Sequence, residues 1–370
     1  MVCSMLRTVS MFAAVVAFAA CMDLPGRAAQ EATAVQALED DCQAGGVCPT
    51  NSPVVATFPF IDMPFNREWT NTQGFSIKAF LIGGVDHEFR VTAGHIKGMG
   101  RGGPVTGPAL EGAQLWLRRG TAAEYVLRIN HVTPVKMWAR IPSIPPVSPI
   151  PQTEAYEIDW AEVFDGQPVN DWKNVCAEAR RPPGDDVELL GAPNTVTFVF
   201  EGERIDARAK RIYDFDTRWF NLGCAGHTLA KMYLMGHVAA AAAAAPGYVT
   251  TIDERQTIMK MFAADYCGTG YAFTVPGMPL GWQDDKRWAH YVPPITGFQV
   301  EARWTPTGAA CLNAPRAEAN GTADTAAMWP HGIRAEITAR CPDKVLPVCT
   351  NGNIQAFDGY HMVTANPPPP

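Results

Sequence analysis

Apolar and polar residues alternate along 75–82, 88–92, 113–117 and 125–129, the period of strands with one buried face. Glycine-rich turns separate these runs, notably at 98–103 (GMGRGG). The pattern predicts a small antiparallel β-rich unit over 53–140. The segment 141–151 (IPSIPPVSPIP) then places five prolines in eleven residues. Missing N–H donors and fixed φ angles forbid helix and central strand there, which predicts a stiff linker.

Beyond it, 156–163 and 195–201 read as strands, and 203–213 continues in a hairpin-like manner. A helix is predicted over 229–245, ending in an alanine run stopped by Pro246 and Gly247. Lys231 and His237 interrupt it, so it does not read as a membrane span. A second helix starts at Thr251, with Glu254 at the spacing of a capping box. Its apolar positions Ile258, Met261, Phe262 and Tyr266 fall on one side. Strands are expected at 297–304 and 333–339, and 351–370 reads as a C-terminal tail. Together these elements predict an α+β fold: a small antiparallel β-rich N-terminal unit followed by a disulfide-stapled α+β domain over 152–350.

The first twenty residues have the form of a secretory signal. Arg7 supplies the positive charge, 11–20 (MFAAVVAFAA) the short apolar stretch, and Asp23, Pro25 and Gly26 end the pattern. Ten apolar residues are too few to span a bilayer as a helix. Phe18-Ala19-Ala20-Cys21 resembles a bacterial lipobox, with Phe18 in place of the usual leucine. This makes Cys21 the expected lipidation site and 21–52 a polar tether. Cleavage after Ala19 or Ala20, leaving Cys21 as a plain thiol, is the competing reading. The expected location is the cell envelope through an N-terminal lipid, or secretion.

Composition sharpens the picture at three points. With 47% hydrophobic and 18% charged residues, the chain can bury a sizeable core. Its net charge of −7 repels phosphate backbones, so no nucleic-acid partner is expected. Ten cysteines suit an exported chain. Setting aside Cys3 and Cys21 leaves eight: Cys42, Cys48, Cys176, Cys224, Cys267, Cys311, Cys341 and Cys349, enough for four disulfides. Cys42–Cys48 and Cys341–Cys349 are the natural local pairs, leaving Cys176, Cys224, Cys267 and Cys311 to pair among themselves. No pair has the CxxC spacing of structural zinc sites.

Ala264-Asp265-Tyr266-Cys267 is the tetrapeptide that names the ADYC domain family of exported bacterial proteins. The flanks agree: 297–311 (GFQVEARWTPTGAAC) resembles the family's Phe-x-x-x-Trp-x-x-x-Gly-Ala-x-Cys stretch, and 221–237 (NLGCAGHTLAKMYLMGH) its earlier cysteine region. Upstream, 110–115 (LEGAQL) is similar to a glycine-bearing strand near the family's start. The likeness covers roughly 108–312 and is strongest over 254–312. The family's pattern often has a cysteine where this chain has Ile258 and another near Met232; an apolar contact is expected in their place. The resemblance implies an exported or envelope-associated domain and supplies no catalytic residues.

Candidate chemistry is sparse. Asp265 and Cys267 at a helix end invite a catalytic reading, but the simpler one has Tyr266 buried, Cys267 bonded and Asp265 satisfying N–H groups at Gly268. Cys224 and His227 could form a nucleophile and base only if the thiol is free. VTAGH at 91–95 matches the histidine strand of trypsin-like proteases, but no GDSGG-like loop accompanies it. Gly98-x-Gly100-x-x-Gly103 is followed by Pro104 and Pro108 rather than a helix, so it does not bind a dinucleotide. Asp214 with Asp216, and Asp284 with Asp285, lack a calcium-loop pattern. No metal or cofactor is expected. Ten tryptophans could include a sugar-stacking platform, and Trp282 and Trp288, beside charged residues, are the expected exposed pair. The sequence therefore points to a non-catalytic binding or structural module facing an unknown envelope ligand. The alternative is an envelope-polymer hydrolase built on Asp265, His227 and Cys224.

Overall fold

The computed structural model describes residues 53–56, 58–59, 62–121, 123–136, 152–176, 195–206, 209–225, 228–237, 239, 250–274, 278, 280–284, 299–321, 323–357 and 362–366. Strands dominate it. β1 (Val54–Val55) and β2 (Phe58–Pro59) form a small ribbon. Next come β3 (Asp62–Pro64), β4 (Phe75–Ile82) and β5 (Val85–Asp86). β6 (Glu88–Thr92), β7 (His95–Gly100) and β8 (Gly103–Val105) form a three-stranded sheet. The longest strands are β10 (Ala123–Lys136), β11 (Gln152–Phe164), β14 (Val196–Asp206) and β15 (Arg211–Cys224), with β9 (Gln114–Arg119) and the short β12 (Gln167–Pro168) and β13 (Lys173–Asn174) beside them.

These strands build one antiparallel ten-stranded sheet in the order β3-β15-β14-β11-β10-β9-β4-β5, with β12 and β13 on β11. Asn71 ties its two ends together. Its side-chain amide donates to the Asp62 carbonyl at 3.0 Å, while its Oδ1 accepts from the Phe75 N–H at 2.8 Å. The sheet therefore curls around a core of Phe75, Phe80, Leu117, Tyr156, Val199 and Phe220, into which the β6–β7 hairpin inserts Phe89 and Ile96. Phe89 meets Phe80 edge-on at 5.0 Å and Phe220 at 4.9 Å.

The α+β expectation is corrected here: the fold is mainly antiparallel β. Strands of 13 or 14 residues run past the polar positions at which the alternating pattern was cut. β14 continues through Gly202 by a register shift instead of turning there. The expected linker, 141–151, lies outside the described residues. The strands before and after it, β10 and β11, pair over their whole length and share the core inside the curled sheet.

On the outside of β14 and β15, helices α1 (Thr228–Leu234) and α2 (Ile252–Ala263) pack against each other. A four-stranded sheet covers α2 in the order β16-β19-β17-β18, from β16 (Gly281–Asp284), β17 (Gln299–Thr305), β18 (Gly308–Leu312) and β19 (Met362–Asn366). β19 lies within the segment read as a tail, yet it is an inner strand there. Helices α3 (Arg316–Ala319), α4 (Ala323–Met328) and α5 (Ile333–Arg340) complete this half. Among the described residues no helix is long and apolar enough to cross a membrane.

Two local expectations also change. The stretch 333–339, read as a strand, is α5: Ile333 and Ile337 are both buried, one helical turn apart, and Arg340 bonds Glu336 on the opposite side. Helix α1 stops at Leu234, where Gly236 takes a φ of 82° and its N–H bonds the Tyr233 carbonyl. Most of the alanine run lies outside the described residues.

Candidate functional site

The tetrapeptide 264–267 sits where α2 ends against the four-stranded sheet. Thr251 and Glu254 close the capping box that starts the helix. Ala264 ends it in the left-handed conformation, φ 50°, with its N–H on the last-turn carbonyls. The chain then folds into a tight turn over Asp265. Gly268 needs positive φ here, and a Cβ on it would come within 2.0 Å of the Thr307 carbonyl oxygen.

Asp265 is fully buried, and both of its oxygens are occupied. Oδ1 accepts from the Gly268 N–H at 2.9 Å; Oδ2 accepts from the Gly270 N–H at 2.8 Å and from Lys260 Nζ at 2.7 Å. Lys260 gives its other two protons to the carbonyls of Ala209, at 2.9 Å, and Gly268, at 3.2 Å. The Lys210 ammonium donates to the Gly270 carbonyl. Lys344 reaches over the turn to the carbonyls of Tyr266, at 3.0 Å, and Thr307, at 2.9 Å. Burial lowers the Lys344 pKa; Asp265 opposes that shift and Lys260 adds to it.

Tyr266 is buried between Phe273 and Trp304, stacked on the indole at 5.4 Å. Its hydroxyl donates to Glu301 Oε1 at 2.6 Å and accepts from the Arg316 N–H at 3.3 Å. Arg316 holds Glu301 with two donors, Nε at 2.8 Å and Nη2 at 3.1 Å. It also donates to the carbonyls of Met261 and Phe262 at the end of α2, at 2.8 and 3.3 Å. Burial, with the Glu301 carboxylate beside it, pushes the Tyr266 pKa well up. Burial works against the Arg316 charge, but Glu301 more than compensates and its pKa is raised. Cys267 closes the motif with a disulfide to Cys341 at the end of α5. Every polar or reactive atom of the tetrapeptide's side chains is thus engaged internally. Turn, helix end and sheet are locked together by it.

The family model that describes the ADYC domain matches residues 107–318, more than half of the chain. The chain belongs to the ADYC domain family. No curated protein and no solved structure matches it. The matched span runs from just before β9 to α3, so the ADYC domain takes in most of the curled sheet as well as the motif turn.

The remaining sequence candidates are scattered. Cys224, at the end of β15, is bonded to Cys176 inside the curled sheet, whereas Asp265 lies beyond α2 in the other core, so the structure does not bring them together. His227, Cys21, Cys42 and Cys48 lie outside the described residues. The third disulfide joins Cys311 to Cys349. Cys341 and Cys349 therefore pair with Cys267 and Cys311, not with each other: the turn after α2 and strand β18 supply their partners. Ile258 and Met232 are buried in one core cluster, on the two helices that pack together. Trp282 is only 6% exposed, against its expected exposure, because β16 packs it beside Phe262. Trp288 lies outside the described residues. Among the described residues no three His, Cys, Asp or Glu side chains are grouped to hold a metal ion.

One polar cluster was not foreseen. The turn Ala93-Gly94 between β6 and β7 has positive φ at both residues, 54° and 77°. A Cβ on Gly94 would fall 1.6 Å from the Tyr233 hydroxyl, which bonds Thr153 Oγ1 at 2.8 Å. Next to it, His95 Nδ1 lies 3.0 Å from Glu154 Oε2, the Tyr156 hydroxyl bonds the same carboxylate, and the Ile96 N–H donates to Tyr156 at 2.8 Å. Burial pushes the Glu154 pKa up, but His95, Tyr156 and the Lys97 charge outweigh it, and the net shift is downward. A carboxylate-oriented imidazole has the geometry of a general base. The hydroxyl that bonds Glu154, that of Tyr156, is buried, with a pKa pushed upward by that burial and by Glu154, so it is a poor nucleophile. The cluster clamps the hairpin onto β11 and α1.

Proposed function

We propose that this ADYC protein is an exported cell-envelope module, held at the membrane by a lipid on Cys21, and that it acts by binding or scaffolding rather than by catalysis. The observation that carries the reading is the use of Asp265, Tyr266 and Cys267 inside the fold: the family's signature residues offer no free carboxylate, hydroxyl or thiol to a substrate. Three disulfides fit an oxidising compartment. The hydrolase alternative needs a thiolate at Cys224, and that sulfur is bonded to Cys176.

Membrane fractionation with mass analysis of the mature N-terminus tests the anchor. The full chain is expected in the membrane fraction with a diacylated Cys21, and Cys21→Ser in the soluble exported fraction. An unmodified mature N-terminus on wild-type protein found only in the soluble fraction would contradict the anchoring. The binding reading is contradicted by turnover of an envelope polymer that is lost in Cys224→Ser.

A further inference from the structure

The curled sheet has a second face. Residues Leu115, Leu117, Tyr125, Leu127, Ile158 and Trp160 point into the core. The alternating positions between them therefore point outward. Register places Gln114 beside Arg128, Arg128 beside Asp159, and Asp159 beside Asn174 in one cross-strand row. The adjacent row sets Trp116 beside Val126 and Val126 beside Ala161. Trp172 immediately precedes β13, which pairs with β11 on the edge away from β10. Val126 and Ala161 are fully covered although they lie on the outer face, whereas Trp116 and Trp172 are partly buried. Three strand spacings of about 4.8 Å put about 14 Å between the backbones that carry the two indoles.

The polar row is already assembled. Trp116 Nε1 donates to Gln114 Oε1 at 3.1 Å. Arg128 stacks on Trp172, its guanidinium carbon 3.9 Å from the ring centre, and donates to Asn130 Oδ1 at 2.9 Å. Asn130 in turn donates to Asp159 Oδ2 at 2.6 Å. At the end of the row, Asn174 Oδ1 accepts from the Cys176 N–H, while its Nδ2 donor is buried with no partner among the described residues. The charges pair locally, Lys78 with Glu124 at 2.7 Å, Arg128 with Asp159 at 3.7 Å and Lys173 with Asp171 at 3.2 Å. The face thus offers an ionic ligand little net attraction.

We propose that this face binds a neutral oligosaccharide segment. One face of each indole already carries a cation, Arg128 over Trp172 at 3.9 Å and Lys78 over Trp116 at 5.7 Å; the opposite faces stack on the C–H faces of pyranose rings, and the planar Gln114, Asn130 and Asp159 groups meet ring hydroxyls, each of which can both donate and accept. The separation of the indoles calls for several linked sugars rather than one. The inference rests on the binding reading above and names its ligand class.

The test titrates the full chain with cellohexaose and with chitohexaose, followed by tryptophan fluorescence and affinity electrophoresis. Saturable binding of at least one hexasaccharide is expected, weakened at least tenfold in Trp172→Ala and in Asn130→Ala. Asn130→Ala keeps both indoles, so it reads the site even if Trp172→Ala perturbs folding. Wild-type affinity weaker than about 10 mM for both sugars overturns the site. So does binding that both variants retain. Product analysis of the same mixtures separates the two readings: cleaved hexasaccharide contradicts the non-catalytic reading, whereas absent binding contradicts the saccharide site alone.

Discussion

Tyr266→Phe removes one oxygen atom from the centre of the buried network and leaves the ring on Trp304. The Arg316 N–H, which donates to that hydroxyl, is left buried without its acceptor, and Glu301 loses one donor while keeping both from Arg316. A stranded buried donor costs roughly 1–3 kcal/mol and a lost bond to a charged group about as much again, so a total of about 2–6 kcal/mol is expected. At roughly 1.5 °C per kcal/mol for about 300 folded residues, the melting temperature falls by roughly 3–9 °C. Glu301→Gln, which leaves Arg316 buried without a counter-charge, costs about 3–5 kcal/mol. Urea denaturation with the disulfides intact, read by tryptophan fluorescence, measures both. Because the two residues share one network, the double variant should cost less than the sum of the singles. Tyr213→Phe is the control: that side chain is 49% exposed and its loss should stay within about 0.5 kcal/mol. A Tyr266→Phe cost no larger than the control's would refute the argument that the motif is a structural lock.

Asp62 is buried, and desolvation raises its pKa to about 6, against the lowering effects of the Ile205 N–H and Arg204. A raised carboxyl binds its proton more tightly in the folded state, so stability should fall as pH rises from about 4 to about 6. Asp62→Asn should abolish that slope and gain on the order of 2 kcal/mol at pH 8; an unchanged slope in pH-dependent denaturation would contradict it. Gly94→Ala places a Cβ on the Tyr233 hydroxyl at positive φ, and a loss of about 2–4 kcal/mol is expected, partly recovered by Tyr233→Phe; equal stability of Gly94→Ala and wild type in thermal melts would refute the clamp. Replacing Cys311 and Cys349 with alanine opens a loop with a sequence separation of 38 and should cost about 2–4 kcal/mol by denaturant titration, whereas a neutral outcome would speak against that bridge.

Features written in neighbouring residues were legible in the sequence. Thr251 and Glu254 announced the start of α2, and the ADYC tetrapeptide with its flanks announced the family. Features set by distant partners were not. The α5 stretch alternates as a strand would, and only its packing of Ile333 and Ile337 on one core selects the helix. Cys341 and Cys349 are eight residues apart, yet tertiary contacts give each a partner from another element. The polar cluster at His95 joins residues from β7, β11 and α1, and no motif spans such separations. Glu301 and Arg316, which define the surroundings of Tyr266, carried no local mark of burial; a charged pair flanking the GAAC stretch was the one available hint. Trp116 and Trp172 looked no different from the core tryptophans, because which face of a strand meets water depends on register.

Alkylation of the native protein before reduction, followed by peptide mapping, tests the central claim most directly. The account predicts no label on Cys176, Cys224, Cys267, Cys311, Cys341 or Cys349, with linked peptides Cys176–Cys224, Cys267–Cys341 and Cys311–Cys349. A stoichiometric label on Cys267 or Cys224 would contradict it: the family motif would then carry a free thiol, or the hydrolase alternative its nucleophile.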